Sequence, residues 1–246
     1  MKTISFMIQK GGTGKTTSAA ALAAGLLEEG KSVLLIDLDP QRNLSYQEGL
    51  NIRKITDTLC DVWENRKTIQ DVLQPVKIGL DIITGGAGLI SADTRYKDRH
   101  LLQKTLQPIR GNYDYCLIDS PPSLGILASM AITAADAIIL PMECASFSII
   151  GLIQYREFLQ IVAPEKISVS GILITKVNER TISYKALESQ IVKAGERYGM
   201  KVFGTRIHLS AAISNAQNAQ RDIFKRASRS RDEYRGFTKE VMQWQA

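Results

Sequence analysis

Cysteine is scarce: three in 246 residues, at 60, 116 and 144, too scattered for a CxxC pair or a disulfide framework. A reducing cytosol is the simplest setting for such a chain. Long apolar runs are missing as well. A membrane span needs roughly 18 apolar residues, and the longest stretch, Ala131 to Pro141, is broken by Asp136. The glycine loop that follows the first apolar stretch directly leaves no signal-peptide pattern, so no leader is expected. Histidine occurs only at His100 and His208, and neither sits in a metal-ligand or catalytic pattern. Repeats, low-complexity segments and Pro/Ser-rich linkers are absent, which predicts one domain over residues 1–246. What the chain has in excess is positive charge: 31 Lys and Arg against 25 Asp and Glu, a net charge of +6. That tilts toward an acidic partner such as nucleic acid or anionic lipid, and the placement of the charge decides more than its sum.

Short β-rich runs alternate with helical stretches. "TISFMI" (Thr3–Ile8), "SVLLIDLD" (Ser32–Asp39), "LDIITG" (Leu80–Gly85) and "YDYCLIDS" ending at Asp119 read as strands. "AIILPME", "SVSGILITKV" and "KVFGTRI" read as three more. The Ala- and Leu-rich stretch from Thr16 predicts a helix stopped by Gly30, and Ser183–Tyr198 predicts another. Strands alternating with helices imply an α/β fold: a doubly wound, mostly parallel sheet with helices on both faces.

The first strand leads into "KGGTGKTT", Lys10 to Thr17. The usual phosphate-loop spacing would place its first glycine at residue 9, where Gln9 stands, so this is a variant of the P-loop between a strand and a helix. Nucleotide-binding residues are then Gly11, Gly12, Thr13, Gly14, Lys15, Thr16 and Thr17. Their backbone N–H groups and the helix N-terminus wrap phosphates, Lys15 reaches the β- and γ-phosphates, and Thr16 holds Mg²⁺. Lys10 is a second lysine that an ordinary P-loop does not need. Asp37, Asp39 and Asp119 fall at strand C-terminal ends, the edge where open parallel sheets bind ligands.

"KGGTGKTT" resembles the deviant Walker A motif of the ParA/MinD family of P-loop ATPases. The resemblance runs over nearly the whole chain and is weakest at Asn51–Gln74. It implies that Lys10 contacts phosphates bound by a second copy, closing an ATP-sandwich homodimer. "DLDPQ" is similar to the family's DxDPQ segment, which implies that Asp37 supports Mg²⁺ through water and that Asp39 positions the attacking water. Asp119 resembles the Walker B aspartate, a further Mg²⁺ partner, and Ser120–Pro122 resemble the switch segment behind it. Lys10, Lys15 and Asp39 are therefore the expected catalytic residues, with ATP and Mg²⁺ as cofactors. In "LITKVNERT" the resemblance puts Asn178 or Lys176 near the adenine, and a turn-capping role for Asn178 fits equally well. "HLSAAISNAQ" is a degenerate form of another family segment, with His208 where a proline usually stands.

Three branches of the family compete. A nitrogenase-iron-protein-like enzyme needs a bridging cluster ligated by paired cysteines, which the three scattered ones do not offer. A MinD-like membrane ATPase is the alternative reading. It needs a basic amphipathic C-terminal helix, but "DEYRGFTKEVMQWQA" is acidic around Phe237, Val241 and Trp244, and a helix packed on the sheet explains it better. "DPQRNLS" also lacks the glycine that MinD-type chains carry there. A ParA-type partition ATPase needs a basic surface, which "RDIFKRASRSRDEYR" supplies through Arg221, Lys225, Arg226, Arg229, Arg231 and Arg235. Lys225, Arg226, Arg229 and Arg231 are the expected contacts to non-specific double-stranded DNA. The resemblance further implies slow ATP hydrolysis stimulated by a ParB-like or cargo-adaptor protein, no membrane, and a cytoplasmic, nucleoid-associated location.

Overall fold

The computed structural model describes residues 1–145, 147–220 and 222–245, so Arg221 of the basic segment lies outside the described residues. The strands are β1 (Lys2–Phe6), β2 (Val33–Asp37), β3 (Gln74–Lys77), β4 (Leu80–Thr84), β5 (Tyr115–Asp119), β6 (Ala137–Glu143), β7 (Ser170–Val177) and β8 (Lys201–His208). The α-helices begin with α1 (Lys15–Glu28), α2 (Asn43–Gln47), α3 (Leu59–Trp63), α4 (Ala92–Arg95) and α5 (Leu101–Leu106). They continue with α6 (Ile126–Ala134), α7 (Ser148–Val162), α8 (Tyr184–Arg197), α9 (Ala211–Asn218) and α10 (Arg229–Gln243).

The strands form one sheet in the order β3-β4-β2-β5-β1-β6-β7-β8. Among the described residues only β3 runs antiparallel, pairing with β4 at the sheet edge. The mostly parallel, doubly wound architecture expected from the alternation of elements is the one observed. β3 is the strand the sequence pattern does not announce. "QPVK" carries Pro75, which an edge strand tolerates because no neighbour needs its missing N–H.

Central strands such as "VLLID" are buried at every position because helices cover both faces. Ile4, Phe6, Val33 and Leu35 face α1 and α10. Leu34, Ile36, Cys116 and Ile118 face the opposite layer, which includes α5, α6, α7 and α8. The C-terminal stretch is α10 packed on the first face, with Phe237, Val241 and Trp244 buried. That is the sheet-packed helix expected from its acidic flanks. α1 and α10 approach so closely at Gly25 that a Cβ there would overlap Thr238 Oγ1, with Thr238 Cβ at 3.0 Å and Cγ2 at 3.2 Å.

The order of strands sets up the site. β1 lies between β5 and β6: the chain crosses from β1 to β2 on one side and later from β5 past β1 to β6 on the other. A crevice opens at such a switch point, beyond the strand C-termini. In register there, Asp37 of β2 and Phe6 of β1 both flank Asp119 of β5. Carboxylates that are 82 residues apart in sequence become neighbours through register alone.

Candidate nucleotide-binding site

A cavity of about 640 Å³ lies at this edge, walled by the glycine loop, the loop after β2, the ends of β7 and β8, and α9. The loop after β1 can wrap a ligand because Gly12 and Gly14 take left-handed backbone, at φ +75° and +96°. Side chains other than glycine rarely adopt that conformation. Gly14 is also the N-cap of α1, so the unpaired N–H groups of the first turn point at the cavity.

Lys15 is buried, and its Nζ donates to the carbonyls of Ile8 (3.2 Å) and Lys10 (3.4 Å). Burial lowers its pKa, while Asp119 and Asp39 act in the opposite sense. Thr16 Oγ1 donates to Asp119 Oδ2 at 2.6 Å. Asp119 Oδ1 is buried with no partner. Its carboxyl is pushed up to about 8, by burial first and by Asp37 second. Asp37 is fully buried and pushed up to about 6 by that burial. Ser45 limits the rise, giving Asp37 Oδ2 two hydrogen bonds at 2.7 Å from its N–H and its hydroxyl.

Asp39 lines the cavity and accepts the Gln41 N–H through Oδ1 at 2.9 Å. Gly11, Gly12, Gly14, Thr16 and Thr17 line it too. Thr13 sits below, buried, with its carbonyl accepting the Thr175 hydroxyl at 2.7 Å. Lys10 turns away from this cavity and ion-pairs with Glu143 at the end of β6.

Of the two residues expected near the base, Lys176 lines the cavity and Asn178 does not. Asn178 Oδ1 accepts the Arg180 N–H at 3.2 Å, the turn-capping contact. His208 also lines the cavity. Its ring binds Glu233 through Nδ1 at 2.7 Å and meets Arg229 at Nε2, also at 2.7 Å.

Several lining residues carry no signal in the sequence. Gln217 on α9 donates to Thr17 Oγ1 at 2.8 Å and to Gln47 Oε1 on α2 at 3.2 Å, bridging the cavity mouth. α9 fully buries no residue, and its Ile213 packs half-buried against the core beneath α1 and α10. The rest of this short helix, through Ser214, Gln217 and Asn218, faces the cavity mouth.

The basic residues divide into two groups. Lys225 and Arg226 are exposed and make no ion pair among the described residues. Arg229 pairs with Glu233 at 2.7 Å and Arg231 with Asp232 at 3.3 Å. Arg235 is held by Glu28 at 2.7 Å. Among the described residues no helix is long and apolar enough to cross a membrane.

A family model described as an AAA domain matches residues 1–170. The sporulation initiation inhibitor protein Soj of Bacillus subtilis is 31% identical, covering 98% of this chain and 98% of its own. The chromosome partitioning protein ParA of Caulobacter vibrioides is 33% identical, covering 88% of this chain and 84% of its own. Among solved structures, a cobyrinic acid a,c-diamide synthase from Mycobacterium smegmatis, with ADP and magnesium bound, superposes at a TM-score of 0.83. It is 26% identical and covers 98% of this chain and 94% of that one.

Proposed function

Because the chain belongs to the ParA/Soj family of chromosome-partitioning ATPases, we propose that it binds and hydrolyses ATP with Mg²⁺ and that nucleotide state switches its hold on DNA. The observation that carries this reading is the convergence of Lys15, Thr16 and Asp119 beneath the glycine loop, with one Asp119 oxygen buried and unpartnered. An unpartnered carboxylate oxygen beside a threonine hydroxyl suits a small, oxygen-seeking divalent cation. Among the described residues no three His, Cys, Asp or Glu side chains converge on a metal position. An ion held through Thr16, Asp119 and phosphate oxygens needs no such cage. When bound, Mg²⁺ would neutralise charge on the phosphate oxygens.

Thr16 and Asp119 would hold the ion, and Asp37, whose oxygens already accept from Ser45 and Asp39, would stand behind them. The backbone of Gly11 to Thr17 cradles the phosphates, and Lys15 leaves its carbonyl partners for them. Asp39 uses one oxygen on Gln41 and turns the other to the attacking water. Charge developing on the transferred phosphoryl group then meets Lys15 and the Lys10 of a second copy. Lys10 does not line its own cavity, which supports its reservation for a partner's phosphates.

Lys225 and Arg226 offer phosphate contacts, joined by Arg229 and Arg231 once these leave their carboxylates. A ParB-like or cargo-adaptor protein would stimulate hydrolysis and release the dimer, in the cytoplasm on nucleoid DNA. Light scattering with ATP and Mg²⁺ tests the scheme. Wild type should form a dimer, Lys10→Ala should bind ATP and stay monomeric, and Asp39→Ala should hold the dimer without turnover. A Lys10→Ala dimer of wild-type strength would remove the trans role.

A further inference from the structure

Lys176 is a strained residue on the cavity wall. It sits at the end of β7 with φ +52°, one of four left-handed residues other than glycine among those described. Such a conformation is unfavourable for a side chain with a Cβ and persists where the surrounding structure imposes it. Two features impose it here. Thr175 is tied to the glycine loop through Thr13, at 2.7 Å. The pairing of β7 with β8 also slips: Ile174 is level with Arg206 and Val177 with His208, so β7 carries one extra residue. In an unbroken strand Lys176 would share the face of Ile174, which is fully buried. The bulge and the left-handed residue turn the lysine out of the core instead.

The ammonium group arrives over the phosphate loop. Its Nζ lies 3.9 Å from the point a Cβ on Gly12 would occupy. Among the described residues it has no hydrogen-bond or ion-pair partner, and it lines the cavity. Lys15, by contrast, is occupied by two carbonyls, and Lys10 is paired with Glu143.

We propose that Lys176 is a third phosphate-directed lysine, a specificity residue that favours polyphosphate nucleotides over monophosphates from its place over Gly12. This rests on the nucleotide reading of the cavity and differs from the base contact that its strand position suggests. An ammonium standing over Gly12 reaches the phosphates along the loop, whereas a base-directed lysine acts on the nucleobase whatever follows it. Charge-assisted contacts of a partly exposed lysine correspond to a loss of about five- to tenfold when the charge is removed.

The test is the affinity of the full chain for ATP, ADP and AMP with Mg²⁺, by calorimetry, in wild type, Lys176→Met, Lys176→Arg and Lys176→Gly. Lys176→Met should weaken ATP and ADP about five- to tenfold and AMP less than about twofold, and Lys176→Arg should stay within about threefold of wild type. Lys176→Gly, which suits the left-handed backbone, should unfold no earlier than wild type and show the same loss, separating charge from folding. Equal losses for all three nucleotides, or none, in a Lys176→Met protein whose wild type binds ATP would overturn the assignment alone. A wild type that binds none of them would overturn the nucleotide reading and this assignment together.

Discussion

The Gly25→Ala variant probes how tightly the helix that starts with the phosphate loop is locked to the helix that starts with Arg229. A methyl at residue 25 overlaps Thr238 Oγ1. Turning Thr238 does not clear the space, because its Cγ2 is 3.2 Å from the new atom and its Cβ 3.0 Å. The hydroxyl is also held, donating to the Tyr234 carbonyl at 2.8 Å. The helices must therefore separate, and overpacking of this kind costs about 1–3 kcal/mol. Ala is favoured over Gly inside a helix by about 1 kcal/mol. The two terms oppose each other, and the clash wins wherever neither helix can shift. Here α10 is fixed by Phe237, Val241 and Tyr234, all fully or almost fully buried. With the helices held in this way the clash lies in the upper part of its range, about 2–3 kcal/mol, and a net loss of about 1–2 kcal/mol follows, lowering Tm by roughly 2–8 °C for a chain of this size. Calorimetric unfolding of wild type, Gly25→Ala, Thr238→Ala and the double variant reads it. In the double variant the new methyl meets only the Cβ of residue 238, so most of the stability should return. A Gly25→Ala protein as stable as wild type would show that the interface is loose and refute the argument.

Other expectations can be checked directly. Lys15→Ala should lose ATP binding or turnover by at least about a hundredfold, read by calorimetry and phosphate release. Glu48 is pushed up from 4.5 to about 7 by burial, with Lys77 opposing and Asp222 adding to the rise. The folded state then holds a proton that the unfolded state has lost, so this group's contribution to stability falls as pH rises from 4.5 to 7. Glu48→Gln should remove that slope, worth about 1–3 kcal/mol across the window, in denaturant titrations at several pH values. An unchanged slope would show that Glu48 is solvated. Lys225→Ala with Arg226→Ala should lower DNA affinity without sequence preference and reduce the salt slope by about one for each DNA phosphate that is no longer neutralised.

The phosphate loop was legible because its chemistry is local: two left-handed glycines and a lysine close together between a strand and a helix. The carboxylates were legible one at a time, as strand-end acids. Their union was not, because Asp37 meets Asp119 only through the order β2-β5-β1, which no local pattern encodes. That Lys176 lines the cavity goes with a one-residue bulge in β7, and alternation along a strand cannot reveal a bulge before the partner's register is known. Gln47 and Gln217 look like surface polar residues, which they are until two short helices bring them together across a cavity. Arg229 stands out in the sequence for its charge, and its tie to Glu233 and His208 exists only because α10 starts beside the end of β8.

Binding to non-specific duplex DNA, without nucleotide, with ADP and with ATP–Mg²⁺, across a salt series, tests the central claim most directly. The account predicts salt-sensitive binding with ATP–Mg²⁺ that is weak or absent with ADP and without nucleotide. Binding of equal strength in all three states would contradict an ATP switch on DNA, as would no binding in any of them.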